Sequence, residues 1–156
     1  MKRKNEKLGQ ILLNKKLITP EALELVLEEQ KNTNEFLGEL LIKYNYIKEK
    51  DLLIALSEQF DLPIINLANS YIDMNLTKKF SATLIVDHKC FPIKIDDFSV
   101  TFAINNPLDA WTIKKAEEEA GALKAKFVLV TKADLEDAIK RYKQYMRGYN
   151  LGIFEK

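Results

Sequence analysis

The segment KLGQILLNKKLITPEALELVLEEQ, residues Lys7–Gln30, returns 29 positions further on as FLGELLIKYNYIKEKDLLIALSEQ, residues Phe36–Gln59. Both copies have a Leu-Gly pair near the start, two leucines four positions apart in the second half, and a final Gln. A five-residue spacer, Lys31–Glu35, separates them. Repetition at a fixed period is the signature of a repeated structural unit. This duplicated segment therefore decides the fold of the first part of the chain.

Each copy has the apolar spacing of two short amphipathic helices. Thr19 followed by Pro20 is typical of a helix start, whereas Lys48-Glu49 at the same place in the second copy is a poorer one. We expect about four short helices in two helix–turn–helix units that pack on each other, because neither unit could bury its apolar face alone. The positions that define these faces are Leu8, Ile11, Leu12, Leu23, Val26, Leu27 and Gln30, repeated as Leu37, Leu40, Leu41, Leu52, Ala55, Leu56 and Gln59.

The remainder of the chain alternates strand and helix signals. Two apolar runs flank Asp96-Asp97, which predicts a hairpin with a two-residue turn and with Phe98, Val100 and Phe102 on one buried face. We expect Lys126–Thr131 to be a central strand because it is apolar throughout. The other predicted elements are a short first strand at Ile64–Leu67, a short helix from Ser81 to His88, strands at Phe91–Ile95 and Phe98–Ile104, a helix from Leu108 to Ala120 closing on Gly121, and a C-terminal helix that Thr131 caps and Gly148 ends.

The predicted fold class is therefore α+β. The N-terminal helical repeat occupies residues 1–62, and a small α/β sandwich with about three to four strands occupies residues 63–147. A tail follows at 148–156.

Composition and charge restrict the classes of function. The formal net charge of +1 argues against non-specific binding of DNA or RNA, which needs a dominant basic field. No apolar run approaches the roughly 18–20 residues of a membrane helix, and no apolar segment follows the basic start as in a secretory signal. The single Cys90 excludes an internal disulfide and suits a reducing cytoplasm. We expect a cytoplasmic protein.

No catalytic constellation is present in the sequence. It has neither a G-x-x-x-x-G-K-[ST] loop nor a G-x-G-x-x-G motif, and no second cysteine. His88 and Cys90 suggest a thiol–imidazole pair, but side chains two positions apart point to different faces, which favours a helix-end histidine and a buried cysteine. Trp111 with Phe98, Phe102 and Phe127 suggests a stacking platform. The alternative is that these aromatic side chains pack in the core of the second part of the chain. We predict that the chain is not an enzyme and needs neither cofactor nor metal.

The doubled segment resembles the MshEN-type module at the N-terminus of type II secretion and type IV pilus assembly ATPases. That family has two 24-residue motifs five residues apart, each reading R-L-G-x-x-[apolar]-[apolar]-x-x-G-[apolar]-[apolar]-x-x-x-x-L-x-x-x-L-x-x-Q. The resemblance continues through Leu62–Leu67, Phe91-Pro92-Ile93 and Asn106–Asp109, and covers the chain from about Lys7 to Tyr142. It implies a cytoplasmic regulatory module that in many members is a receptor for cyclic di-GMP. The ATPase motor that usually follows is absent from this sequence, so we expect either a fragment of a longer ATPase or a stand-alone adaptor.

Four positions depart from the family motif. Lys7 and Phe36 replace the two arginines, and Lys16 and Asn45 replace the two mid-motif glycines. Lysine keeps the charge but loses the planar fork of arginine, while Phe36 could stack on a guanine. Asn45 tolerates a left-handed backbone more readily than Lys16 does.

Two functions remain open on this basis. The first is a regulatory domain that takes cyclic di-GMP on the repeat. The second keeps the fold without the ligand and docks onto a partner, by family analogy a secretion or pilus ATPase or an inner-membrane assembly protein. The resemblance implies ligand contacts at Lys7, Leu8, Gly9, Leu12, Gln30, Phe36, Leu37, Gly38, Leu41 and Gln59. The two glycines have a packing explanation as well, because small residues let helices approach closely.

Overall fold

Four helices follow one another in the first part of the chain, as the repeat predicts. The computed structural model of the protein describes residues 8–150. Thr19 caps the second helix with its hydroxyl, which accepts a hydrogen bond from the N–H of Ala22 (3.1 Å), and Pro20 is the first helical residue. Lys48 makes no such bond, so the poorer start predicted for the second copy is confirmed. The helices are α1 Leu8–Asn14, α2 Pro20–Gln30, α3 Leu37–Lys43 and α4 Glu49–Phe60.

The two copies of the repeat complete each other's core. The first helix of each copy packs against the second helix of the other, so that α1 lies on α4 and α2 on α3, while α1 also contacts α3. Leucines fill the space between them, and Leu12, Leu40 and Leu41 are fully buried. The prediction that the two units pack on each other is confirmed.

The chain divides into two compact units between Leu62 and Pro63. In the second unit, three strands form a mixed sheet in the order β1-β2-β3, with β1 antiparallel and β3 parallel to β2. Two 3₁₀ turns, Leu67–Asn69 and Met74–Lys79, and a π-helical turn, Thr83–Asp87, precede the sheet. Phe91, Ala103, Val130, Leu135 and Ala138 lie in its core. The elements are β1 Phe91–Ile95, β2 Ser99–Ile104, α5 Ala110–Ala120, β3 Lys124–Leu129 and α6 Lys132–Asn150.

The hairpin between β1 and β2 is present, but its turn lies one residue later than predicted. The N–H of Asp96 donates to the carbonyl of Ser99 (2.9 Å), which makes Asp97 and Phe98 the central residues of the turn. The Asp96 carboxylate accepts from the N–H groups of Phe98 and Ser99, both at 2.8 Å, and these bonds lower the pKa of Asp96. Phe98 is 83% exposed, so its predicted place on the buried face is wrong.

Three other predicted details are wrong. The expected first strand at Ile64–Leu67 is a single bridge from Ile64 to Leu129, because the chain turns into a 3₁₀ helix at Leu67. Lys126–Thr131 was expected to be central, but β2 is the middle strand and β3 has only that bridge on its other side. The last helix continues through Gly148 to Asn150, since a helix tolerates one glycine at a modest cost. Among the helices of residues 8–150, none combines the length and the hydropathy required to cross a membrane.

Candidate functional site

The motif glycines lie where two helices of one copy approach each other closely. A β-carbon built on Gly9 would lie 3.0 Å from Cδ1 of Leu23, and one built on Gly38 would lie 2.8 Å from Cδ1 of Leu52. Both distances are shorter than normal contacts between carbon atoms. Gly9 and Gly38 therefore have a packing role in this fold, the same in each copy.

The mid-motif positions keep a left-handed backbone although neither is glycine. Lys16 has φ 58° and Asn45 has φ 61°. The hydrogen bonds around them are those of a Schellman helix end, with the N–H of Leu17 donating to the carbonyl of Leu12 (3.0 Å) and the N–H of Tyr46 to that of Leu41 (2.9 Å). Both copies thus form a left-handed turn at the mid-motif position without glycine.

Several of the predicted ligand-contacting residues belong to the core. Leu8 is 4% exposed, and Leu12 and Leu41 are not exposed at all, while Leu37 is half-buried. Leu12 and Leu41 have no surface on which a ligand could lie. Their side chains hold the four helices together from within.

The polar residues of the predicted site lie at the helix ends. The side-chain amide of Gln30 donates to the carbonyl of Glu35 in the spacer (3.3 Å), and the half-buried Phe36 occupies the N-cap position of α3 without a side-chain hydrogen bond. Oε1 of Gln59 is buried and accepts no hydrogen bond from the residues that the structure describes. A buried acceptor without a donor is uncommon in folded proteins. Lys7 lies outside the described residues.

One face of α2 carries an apolar depression of about 410 Å³. Leu23 and Leu27, the two leucines in the second half of the first motif, form its floor with Leu13 and Pro20, and the side chains of Glu24, Glu28 and Lys31 surround it. Leu23 and Leu27 were not among the predicted site residues. Their place at the leucine positions of the motif was the signal that could have identified them.

The charges of the helical repeat give no strong attraction for an anionic ligand. Residues 1–62 contain nine lysines, one arginine and eleven carboxylates, so that the two signs nearly balance. Lys15 lies 2.7 Å from Glu58, and Lys31 lies 2.9 Å from Glu28. A cyclic dinucleotide with two phosphates would therefore meet no dominant basic field on the repeat.

In the second unit, Cys90 and His88 were considered as a thiol–imidazole pair. Cys90 is wholly buried, and burial raises the pKa of its thiol far above the usual value, which keeps it protonated. His88 ends the π-helical turn, with Nδ1 3.3 Å from the hydroxyl of Thr112. Both observations agree with the interpretation as a helix-end histidine and a buried cysteine. Residues 8–150 contain no group of three or more His, Cys, Asp or Glu side chains that could hold a metal ion.

The four aromatic residues considered as a stacking platform do not share one environment. Phe102 is fully buried and stacks on Phe127, with ring centroids 5.9 Å apart. Trp111 is 77% exposed on the first turn of α5. Core packing is therefore confirmed for Phe102 and wrong for Trp111, as it is for Phe98.

The chain matches one family model and is similar to pilus assembly ATPases. The model of the MshEN domain family matches residues 60–148, which lie largely in the second unit. The type IV pilus assembly ATPase PilB of Myxococcus xanthus (strain DK1622) is 25% identical over 136 residues, covering 87% of this chain. The chain spans 24% of that protein's length.

Solved structures give a similar result. The structure of MshE with cdg (cyclic di-GMP) has a TM-score of 0.81 and 25% identity, covering 88% of this chain and 99% of that one. The N-terminal domain of XpsE has a TM-score of 0.68 and 15% identity, covering 90% of this chain and 96% of that one, which shows a shared fold.

Proposed function

This chain belongs to the MshEN domain family, and on that premise we propose that it is a non-catalytic cytoplasmic regulatory domain that docks onto a protein of a bacterial secretion or pilus assembly machine. One observation carries the proposal. The two Leu-Gly glycines and the buried leucines that this chain retains from the motif serve the packing of the repeat, whereas the two arginines that would hold a dinucleotide are replaced.

The retained residues have structural explanations that require no ligand. Gly9 and Gly38 accommodate Leu23 and Leu52, and the buried motif leucines fill the core of the repeat. The open surface that is left is apolar and acidic. A surface of this kind suits a protein partner better than a phosphodiester.

Docking is tested by affinity capture with the full chain, followed by pairwise measurement with each purified candidate. We expect a secretion or pilus ATPase, or an inner-membrane assembly protein, to be identified by mass spectrometry and to bind as a purified protein with Kd near or below ~10 μM. Failure of every purified candidate to bind at ~100 μM would overturn the docking proposal.

A second candidate, a receptor for cyclic di-GMP, is favoured by a different observation. Gln59, the last residue of the second motif, has a buried side-chain oxygen that accepts no hydrogen bond from residues 8–150, and a bound ligand could supply the donor. Lys16 and Asn45, which stand where the family motif has glycine, both keep a left-handed backbone, and MshE has been solved with this ligand. Stacking on Phe36 would contribute roughly 1–3 kcal/mol, against a loss of roughly 1.5–3 kcal/mol for each missing charged hydrogen bond.

Calorimetric titration with cyclic di-GMP separates the two candidates. Aspartate substitutions at Gly9 or Gly38 are poor probes, because any side chain there disturbs the packing of the leucine beneath it. The wild-type chain is therefore compared with a Gln59→Leu variant and with a Lys7→Arg/Phe36→Arg variant that restores both arginines.

The proposed docking function predicts no heat of binding for the wild type at ~100 μM ligand. Binding by the wild type in the low-micromolar range, weakened in Gln59→Leu, would establish the receptor instead. Binding by the arginine variant alone would support the proposal, since it would show that the turns persist and that the lost arginines account for the lost ligand.

A further inference from the structure

The same face of the repeat is closed in one copy and open in the other. Leu52 and Leu56 in α4 are 8% and 2% exposed. Their counterparts 29 positions earlier are Leu23, which is half-buried, and Leu27, which is 42% exposed. The chain covers these leucines in its second copy and leaves them accessible in its first, where they form the floor of the depression on α2.

A row of carboxylates runs beside the open leucines. At 100° per residue, Glu24 and Glu28 lie on the α2 surface beside Leu27, and Glu21 lies about one turn before Glu24. The helix has four glutamates and no basic residue, and Lys31 follows its last turn. The exposed ion pair of Lys31 with Glu28 contributes little to stability and is readily replaced by a pair with a partner.

We propose that this α2 face, defined as Leu13, Pro20, Leu23 and Leu27 with Glu24 and Glu28, is the docking site for a cationic amphipathic helix of a partner protein. The inference rests on the proposed docking function and names the chemistry of the partner. Apolar side chains of the incoming helix fill the depression, and lysines or arginines spaced along its flank reach the glutamate row.

The apolar and acidic side chains of the α2 face favour a cationic amphipathic helix over other ligands. A dinucleotide would bring phosphates against Glu24 and Glu28, and an acidic peptide would be repelled in the same way. A cationic amphipathic helix would bury the leucines under its apolar side chains and pair its basic side chains with the carboxylates. Such a helix would also bury Leu23 and Leu27 in the first copy, as the chain itself buries Leu52 and Leu56 in the second copy.

The test uses a fluorescein-labelled peptide built of two consecutive LKKLLKL units and the full-length chain, followed by fluorescence anisotropy. The matched probe is the same peptide with every lysine replaced by glutamate. We expect binding of the lysine peptide with Kd of ~10 μM or tighter and no binding of the glutamate peptide at ~100 μM.

Variants of α2 locate the binding surface. Leu27→Ser should weaken binding at least ~10-fold, and Glu24→Lys/Glu28→Lys should abolish it. Leu25→Ser is the control, because Leu25 is more exposed, at 64%, but lies across the glutamate row and does not line the depression. It should change Kd by less than ~2-fold. All four positions are exposed or at the surface, and circular dichroism checks that each variant folds.

Two outcomes would overturn the inference. In the first, Leu25→Ser and Leu27→Ser weaken peptide binding equally. In the second, the wild type does not bind the lysine peptide. Competition between cyclic di-GMP and the peptide would assign the face to the nucleotide. Self-association of the chain that Leu27→Ser abolishes, measured by sedimentation, would assign it to a second copy.

The partner identified in the docking experiment separates the proposed docking function from its proposed location on α2. If that partner binds Leu27→Ser as tightly as the wild type, docking stands and its location on α2 is wrong. If no partner binds the wild type, the docking function itself fails.

Discussion

Gly38 in α3 lies directly on Leu52 in α4, with room for a hydrogen atom and not for a methyl group. A β-carbon on Gly38 would lie 2.8 Å and 2.9 Å from the two methyl carbons of Leu52. Gly9 and Leu23 repeat the relationship in the first copy at 3.0 Å and 3.2 Å. The second copy is the tighter of the two, and Leu52 is the more deeply buried leucine.

Alanine at the two glycines should therefore have unequal effects. We expect Gly38→Ala to lower the free energy of unfolding by about 1–2 kcal/mol, because a buried leucine must move, and Gly9→Ala to change it by less than about 1 kcal/mol. Urea denaturation of both variants measures the difference. A double-mutant cycle with Leu52→Ala should show a coupling of about 1 kcal/mol between positions 38 and 52, and strict additivity would contradict the contact.

The left-handed residue Lys16 should gain from replacement by glycine. Relief of about 1–2 kcal/mol of backbone strain exceeds the added entropy of the unfolded chain, so Lys16→Gly should stabilise the protein by about 0.5–1 kcal/mol. Asn45→Gly should change stability by less than about 0.5 kcal/mol, since asparagine already tolerates φ 61°. Thermal and urea unfolding test both, and a destabilised Lys16→Gly variant would refute the strained turn.

The helix caps give a matched pair of variants across the repeat. Thr19→Ala removes the hydroxyl that accepts from Ala22 and should cost about 1 kcal/mol of stability. Lys48→Thr supplies the missing cap of α4 and should add about 0.5–1 kcal/mol. Both are measured by urea denaturation, and opposite signs for the two variants are the expected result. A neutral Lys48→Thr would mean that the start of α4 is already satisfied in another way.

The Glu119 carboxylate makes the stability of the second unit depend on pH. Its oxygens accept from the N–H (2.7 Å) and the hydroxyl (2.6 Å) of Ser81. Burial raises the pKa of Glu119, but the bonds from Ser81 and the nearby charge of Lys115 outweigh it, and the pKa is lowered from its ordinary value of 4.5. A lowered pKa means that the stabilisation is present above that value and is lost as the pH falls through the pKa of the folded state.

Glu119→Gln should therefore flatten the acid limb of the stability profile. We expect the variant to be about 1–3 kcal/mol less stable than the wild type at pH 7 and the difference to shrink below pH 4.5. Urea denaturation at several pH values measures this, and Ser81→Ala should reproduce part of the effect. A constant difference across the whole range would contradict the assignment.

Trp111 is the single tryptophan of the chain, and its exposure can be read by fluorescence. We expect an emission maximum characteristic of water-exposed indole and efficient quenching by iodide. Trp111→Ala should change the free energy of unfolding by less than about 0.5 kcal/mol, because little area is buried at this side chain. Blue-shifted, unquenched emission would instead mean that Trp111 packs in a core.

Local patterns predicted the helices of the repeat well. The i, i+3, i+4 spacing and the Thr19-Pro20 start act within a few residues, so the four helices α1 to α4 follow from the sequence. The hairpin turn was missed by one residue, because the Asp96 side chain accepts two backbone N–H groups and thereby selects the residues of the turn. The middle strand was missed because an apolar run is compatible with several positions in a small sheet.

The candidate site was predictable only in part. The packing explanation that the sequence offered for Gly9 and Gly38 is confirmed by their closeness to Leu23 and Leu52, whereas their contact with a ligand stays a prediction. Leu27 and Leu56 occupy equivalent positions of the motif, yet Leu56 is 2% exposed and Leu27 is 42% exposed. Identical residue types at equivalent positions thus acquire different environments.

The sequence by itself determined the doubled motif, its four helices and the resemblance to the family, because each depends on neighbours along the chain. The tertiary structure alone decided that Leu56 is covered and Leu27 is open, and that the glutamates of α2 line the open face. The physical reason is that burial depends on which distant parts of the chain pack on a residue. The local spacing is the same in both copies and therefore cannot distinguish the covered leucine from the open one.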